Sequence, residues 1–280
     1  MVEPALDGSW DVIVAPWHLD EPLAGFPLPP RATALAFPSS GAPRRGDGQD
    51  VRVAALCESV AAAVARARRP LVLSGDCVAS LGVVAGLQRA GTDVAIVWLD
   101  AHGDYNTPAT TITGYLGGMP LALLAGHSPA LIGDRLGLRP VAECDVVLVD
   151  ARDLDPAERD LLAASQVRHV PLDVDAVGSA VAALAGRPVY LHVDLDIVDS
   201  AELAGLRVPA GSGPALALVA DCVAAIASAA RVAAAGIACT FLPGRAGDPA
   251  ARSALPGWRR KLRGVISRAD SESAALAPCQ

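Results

Sequence analysis

Asp100, His102 and Asp104 stand at alternate positions in Asp-Ala-His-Gly-Asp-Tyr-Asn, residues 100–106, and Asp194 and Asp196 do the same in residues 192–199. A further acid, Asp76, lies in Ser-Gly-Asp-Cys with Cys77 beside it. In extended backbone, residues i and i+2 face the same way, so each group can converge. Carboxylates and an imidazole gathered at one edge cannot all stay charged and unpaired. Divalent cations relieve that repulsion. An oxygen-rich set with one imidazole suits Mn²⁺, with Zn²⁺ or Fe²⁺ as alternatives. A single strand-end aspartate reads as a helix cap, but five ligand-type residues on two strands read as a metal site. Cys77 is either a small core residue or a thiolate ligand.

The elements that must position these residues alternate along the chain. Strands are expected at 10–16, 71–75, 94–100, 145–151, 188–196 and 234–242. Helices are expected at 50–70, 80–91, 119–126, 155–165 and over the Ala-rich stretch from 216. The helix at 50–70 stops at basic residues and Pro70, and that at 155–165 opens on an acidic turn. Such β-α alternation predicts an α/β fold with a doubly wound, mostly parallel sheet. The acids then fall at its carboxyl edge, where ligands bind in such sheets. No repeat or linker divides residues 1–280, so one catalytic domain is expected. The Pro- and Gly-rich stretch 20–49 reads as a surface loop, and the tail from about 269 as frayed.

Composition excludes several classes. Apolar residues make up 52% but aromatics only 4%, so Ala, Val and Leu must build a core of close-packed helices on a sheet. A net charge of −7 with no basic stripe argues against nucleic acid. Asp221 and Arg231 interrupt the apolar run 216–242, which argues against a membrane span. No signal-peptide series is present, and the cysteines at 57, 77, 144, 222, 239 and 279 form no CxxC pair. A reducing, cytoplasmic setting is expected. Gly-Ser-Gly at 211–213 lacks the Lys-Ser/Thr of a phosphate loop. His18, His127 and His169 have no ligand spacing, and His192 is expected to be structural and to point away from Asp194.

Three segments together resemble the arginase or ureohydrolase family, whose motifs run GGDH, DAHxDxN and SxDxDxxDP. They stand here as Ser74-Gly75-Asp76-Cys77, Asp100-Ala101-His102-Gly103-Asp104-Tyr105-Asn106 and His192-Val193-Asp194-Leu195-Asp196-Ile197-Val198-Asp199-Ser200. The resemblance runs from about residue 70 to 243, and the middle motif is the most specific. It implies a three-layer α/β/α fold, two Mn²⁺ ions per chain, and attack of a metal-activated hydroxide on a guanidine carbon. It further implies that Cys77, Asp100, Asp104 and Asp194 hold one metal, and Asp100, His102, Asp194 and Asp196 the other. Asp104 would also be the catalytic acid-base residue. Cys77 replaces the family's histidine, and a softer, negatively charged ligand there would hold Mn²⁺ weakly. Family members are commonly trimers or hexamers, so a homo-oligomer is expected.

The resemblance also assigns substrate contacts. Asn106, Thr111 and Thr113 match the positions that bind a substrate α-carboxylate; Asp153, Asp155 and Glu158 match the segment that binds an α-ammonium. Together they imply an α-amino acid of arginine shape. Two departures narrow the choice. Gly117 stands where arginases carry a proton-shuttling histidine, and Thr240 where they carry a glutamate that pairs with the guanidinium. A hydroxyguanidine is less basic and needs less protonic help. The expectation is therefore hydrolysis of Nω-hydroxy-L-arginine to L-ornithine and hydroxyurea, as in the D-cycloserine branch of the family. An arginase, a formiminoglutamase-like ureohydrolase and a catalytically silent member remain as alternatives.

Overall fold

A computed structural model of the chain describes residues 10–24, 26, 32, 34–35 and 47–238. The expected positions of Thr240 and of the tail from about 269 lie outside the described residues. In chain order the elements are β1 (Asp11–Ala15), β2 (Trp17–His18), β3 (Glu21–Pro22), β4 (Ala34–Leu35), α1 (Gln49–Val64), β5 (Pro70–Ser74), α2 (Ala79–Arg89) and β6 (Ala95–His102). They continue with α3 (Pro120–Leu124), α4 (Gly133–Leu136), β7 (Val146–Asp153), α5 (Pro156–Ala164) and β8 (Arg168–Val170). The last are α6 (Val174–Ala182), β9 (Val189–Asp194), α7 (Leu216–Ala229) and β10 (Val232–Ala238).

Eight strands form one sheet in the order β4-β1-β5-β10-β9-β6-β7-β8, with every neighbouring pair parallel. The central strands are apolar on both faces because helices cover both. On one face, Val53, Leu56 and Val60 of α1 and Leu81 and Val84 of α2 pack with Val72, Ile96 and Trp98. On the other, Val177 and Val181 of α6 and Val219, Val223 and Ile226 of α7 pack with Val97, Val147 and Leu191. The fold is thus a three-layer α/β/α sandwich. No helix among the described residues is long and apolar enough to cross a membrane.

Two features depart from the sequence expectation. The stretch 20–49 contributes β3 and the two-residue edge strand β4, which pairs with β1 through Ile13–Ala34 and Val14–Leu35; two residues carry no readable alternation. The sequence pattern predicts no element at α4, β8 or α6. β8 is a three-residue edge strand whose pattern is mostly exposed, so it shows no buried periodicity.

Strand order positions the chemistry. The chain passes from β5 to β6 across a gap that β9 and β10 later fill. The carboxyl ends of β5, β9 and β6 therefore meet near the centre of the sheet, where the connections reverse and open a crevice.

Candidate metal centre and substrate cavity

The crevice begins where β5 turns into α2. Gly75 is required there by close approach: a Cβ would fall 2.2 Å from Leu23 Cδ1 and 2.5 Å from the Trp17 carbonyl oxygen. Asp76 Oδ1 accepts from Val78 N at 3.0 Å and tightens the turn. Its Oδ2 accepts from Tyr115 Oη at 2.7 Å and lies 2.9 Å from His18 Nδ1. With Asp76 so fixed, the next side chain, Cys77, enters the crevice. Cys77 Sγ donates to Asp194 Oδ2 at 2.9 Å and lies 4.0 Å from Asp100 Oδ2.

β6 supplies the centre of the cluster. Its register against β7 shifts between Asp100 and His102. The extra residue lies on β7, between Asp150 and Asp153, while Asp100 and His102 keep the i, i+2 relation that turns both side chains to the crevice. Asp100 Oδ2 accepts from Trp98 Nε1 at 3.1 Å, and Asp100 Oδ1 accepts from His102 N at 2.7 Å. His102 Nδ1 lies 2.9 Å from Asp196 Oδ2 and 3.5 Å from Asp100 Oδ1. Asp196 N donates to Asp194 Oδ1 at 2.9 Å, which turns the end of β9 so that both acids face inward. Asp104 is held in the left-handed region at φ 49°. Its carbonyl oxygen accepts from Leu121 N at 3.0 Å and Ala122 N at 3.2 Å, and its carboxylate is left facing the crevice.

Burial shapes the electrostatics. It pushes the Asp194 and Asp196 carboxyls up to about 7, assisted by Asp196 beside Asp194 and Asp100 beside Asp196. Burial, then the neighbouring Asp100, holds Asp104 well above the carboxylate range. Burial works against charge on His102, but Asp100 and Asp196 outweigh it and push the imidazole up to about 12. Burial and then Asp194 raise the Cys77 thiol. Like charges packed this closely out of water favour protonated carboxyls or a bound cation.

These residues fit divalent cations. Asp104 Oδ2 is buried with no hydrogen-bond partner, an orphaned acceptor of the kind a cation satisfies. Donor atoms of Asp100, His102 and Asp196 lie within 4.8 Å of one another, and so do those of Cys77, Asp100 and His192. The second group corrects the expectation for His192. It does not point away from Asp194: residues 192 and 194 are two apart on one strand and share a face. His192 Nε2 lies 3.4 Å from Cys77 Sγ. The i, i+2 rule that found the acids was enough to find His192 as well.

The six residues read as ligands, Cys77, Asp100, His102, Asp104, Asp194 and Asp196, line one cavity of about 210 Å³ together with the six read as substrate contacts. Thr111 Oγ1 accepts from Gly114 N at 3.1 Å and Thr113 Oγ1 from Tyr115 N at 3.2 Å. Each hydroxyl hydrogen is thereby left to donate elsewhere. Asn106 Nδ2 donates to Asp155 Oδ2 at 3.2 Å, which links the two halves of the cradle. Glu158 is 3% exposed. Its carboxylate accepts from Tyr105 N at 2.8 Å and from Asp155 N at 3.2 Å, the latter as part of a capping box that starts α5. Asp153 closes the row at the end of β7.

Tyr115 is a cavity residue that sequence reasoning missed. A Cβ on Gly117 would fall 2.2 Å from Tyr115 Cζ and 2.3 Å from its Oη. The phenol ring therefore occupies the space into which a side chain at 117 would grow. Its contact with Asp76 spans 39 positions, and no local pattern reports it.

The sequence pattern of the Arginase family matches residues 35–240. The Nω-hydroxy-L-arginine amidinohydrolase of Streptomyces lavendulae is 36% identical over 146 residues, 52% of this chain and 52% of that protein. Arginase-1 of Sus scrofa is 35% identical over 158 residues, 51% of this chain and 49% of that protein. The chain thus spans about half the length of the curated relatives it matches. Among solved structures, the arginase of Bacillus cereus superposes with a TM-score of 0.72 at 24% identity, covering 85% of this chain and 84% of that one. The arginase of Entamoeba histolytica, solved with L-ornithine, gives 0.75 at 18% identity, covering 91% and 99%. These two likenesses establish the shared fold.

Proposed function

The chain belongs to the arginase family, and on that premise we propose that it is a metal-dependent amidinohydrolase that cleaves Nω-hydroxy-L-arginine to L-ornithine and hydroxyurea. The observation that carries the reading is the joining of two things in one cavity: a buried carboxylate–imidazole cluster fit for two divalent ions, and a polar cradle fit for an α-amino acid. Mn²⁺ is the expected metal at the oxygen-rich position of Asp100, His102, Asp194 and Asp196, and Cys77 and Asp104 join Asp100 and Asp194 at the other. When bound, such ions supply Lewis acidity and lower the pKa of water.

The chain's own residues do the rest. Thr111 and Thr113 donate their hydroxyls, and Asn106 its amide, toward the substrate carboxylate, while Asp153, Asp155 and Glu158 face the ammonium. This grip places the amidino carbon over the acid cluster, and positioning alone lowers the barrier. Water adds its oxygen to the amidino carbon, and the bond from that carbon to the ornithine side-chain nitrogen breaks. Asp104 accepts the proton of the attacking water and returns it to the departing amine. Burial, then the neighbouring Asp100, raises its carboxyl above the usual carboxylate range, the direction that favours holding the proton until the amine departs.

The finer choice of substrate rests on Gly117 and Tyr115. The phenol beside Gly117 is bound to Asp76, and burial followed by Asp76 keeps it protonated. It offers no titrating imidazole at that wall. A hydroxyguanidino group, less basic than a guanidine, tolerates that loss. The same cavity would act poorly on L-arginine. A place in D-cycloserine formation, a cytoplasmic location and a homo-oligomeric state belong to the same reading.

The test is ornithine release by the purified, Mn²⁺-loaded protein given Nω-hydroxy-L-arginine and L-arginine in parallel. Preference for the hydroxylated substrate is expected. Equal or better turnover of arginine would return the chain to the general arginases. No ornithine from either would favour another ureohydrolase substrate or a silent member.

A further inference from the structure

One polar wall of the cluster has no role in the reading above. His192 is 1% exposed. Its ring stacks on the Trp98 indole with centroids 3.6 Å apart and planes 18° from parallel. Trp98 in turn donates to Asp100. On its far side, His192 Nδ1 lies 3.0 Å from Tyr190 Oη. Tyr190 is also buried, and Gly236 makes room for it: a Cβ at 236 would fall 2.3 Å from Tyr190 Oη. A stacking partner, a hydroxyl partner and a glycine cleft thus fix one imidazole, and its remaining nitrogen faces the Cys77 thiol.

Donor atoms of Cys77, Asp100 and His192 lie within 4.8 Å of one another, close enough to share a centre. Ligand atoms around a tetrahedral Zn²⁺, bonded at roughly 2.0–2.3 Å, sit roughly 3.3–3.8 Å apart. His192 Nε2 is 3.4 Å from Cys77 Sγ, and Cys77 Sγ is 2.9 Å from Asp194 Oδ2 and 4.0 Å from Asp100 Oδ2. When the Tyr190 hydroxyl accepts from Nδ1–H, the Nε2 lone pair is aimed at that centre. Metal-binding histidines are commonly oriented in this way by a partner on the other ring nitrogen.

We propose that His192 is a metal ligand, adding an imidazole beside Cys77 and Asp100 at the position read above as held by Cys77, Asp100, Asp104 and Asp194, and so making a soft position that takes Zn²⁺ in preference to Mn²⁺, with Tyr190 as its positioning residue. The proposal rests on the metal-dependent reading of the cavity. It makes the two positions chemically unlike. Thiolate and imidazole favour Zn²⁺ at one, while His102 among carboxylates favours Mn²⁺ at the other. The chain regains from β9 the imidazole that position 77 does not offer.

The test reads the metal, not turnover. The full chain is stripped of metal and given one equivalent of Zn²⁺, and its zinc-edge X-ray absorption is recorded. One sulfur and one imidazole on the same zinc are expected, since the donor group of Asp100, His102 and Asp196 includes no sulfur. Zinc with sulfur but no imidazole would overturn the assignment of His192. In parallel, Co²⁺ should give a thiolate charge-transfer band that Cys77→Ser abolishes. His192→Ala should retain that band but bind Zn²⁺ roughly tenfold or more weakly, and Tyr190→Phe should weaken it by a smaller factor. Unchanged Zn²⁺ affinity and Co²⁺ spectrum in a folded His192→Ala would refute the proposal. If that variant does not fold, the absorption spectrum of the unaltered protein decides alone. Failure to hydrolyse hydroxyarginine leaves all these readouts intact, whereas failure to bind any metal overturns both readings.

Discussion

Replacing Gly117 by alanine tests whether Tyr115 owns the space where a side chain at 117 would stand. The new methyl would meet Tyr115 Cζ at 2.2 Å and Oη at 2.3 Å, well inside contact distance. Gly117 has no left-handed φ to protect, so alanine carries no backbone penalty there and the whole effect comes from the clash. The flexible partner is the phenol, so it must leave. Leaving breaks its 2.7 Å hydrogen bond to Asp76, a bond to a charged acceptor that contributes about 1.5–3 kcal/mol. A loss of about 2 kcal/mol lowers the melting temperature of a chain this size by roughly 3–4 °C. Denaturant unfolding of four proteins checks it: unaltered, Gly117→Ala, Tyr115→Ala and the double variant. With the ring gone, the alanine has nothing to strike. Its cost should then fall to within about 0.5 kcal/mol of zero, which leaves a coupling energy of about 2 kcal/mol. An unaffected Gly117→Ala, or the same loss with and without Tyr115, would refute the reasoning.

Three further outcomes are expected. In the metal-free protein, Asp194 and Asp196 rise from an ordinary 3.8 to about 7 and His102 from 6.5 to about 12. The folded state then binds more protons than the unfolded one over the whole span, so stability falls as pH rises from about 5 to 8. Metal binding must expel those protons, so the thermal shift produced by Mn²⁺ should be larger at pH 8 than at pH 6; a shift independent of pH would contradict this. Gly82→Ala should cost about 1–3 kcal/mol by denaturant unfolding, because its Cβ would fall 2.4 Å from the Cys57 carbonyl oxygen at the α1–α2 crossing; metal affinity should not change. Glu158→Ala strips acceptors from Tyr105 N and Asp155 N. One buried and one half-buried donor left unpaired should cost about 2 kcal/mol in the same assay, and KM should rise because the proposed ammonium contact is lost and the loop that carries Asn106 loosens.

The sequence by itself determined the repeating parts. Alternating strands and helices, the i, i+2 pair Asp100 and His102 on β6, and the helix starting at Pro156 all follow from backbone periodicity and local capping. Each needs only neighbours along the chain. The same rule applied fully would have turned His192 inward. What the alternation did not contain was the left-handed backbone at Asp104 and the 3-10 turn at Leu195–Ile197, which carry Asp104 and Asp196 to the crevice beyond the ends of their strands.

Tertiary structure alone decided which strand ends meet. β9 and β10 enter between β5 and β6, and that insertion brings Cys77 to Asp194 across 117 positions and to His192 across 115. Tyr115 fills the space above Gly117 because Asp76, on another element, holds its hydroxyl. Contacts of this kind are set by sheet order and by which atoms fill a given volume. Residue type and spacing show what each segment can donate, but only the packed sheet fixes what stands opposite it.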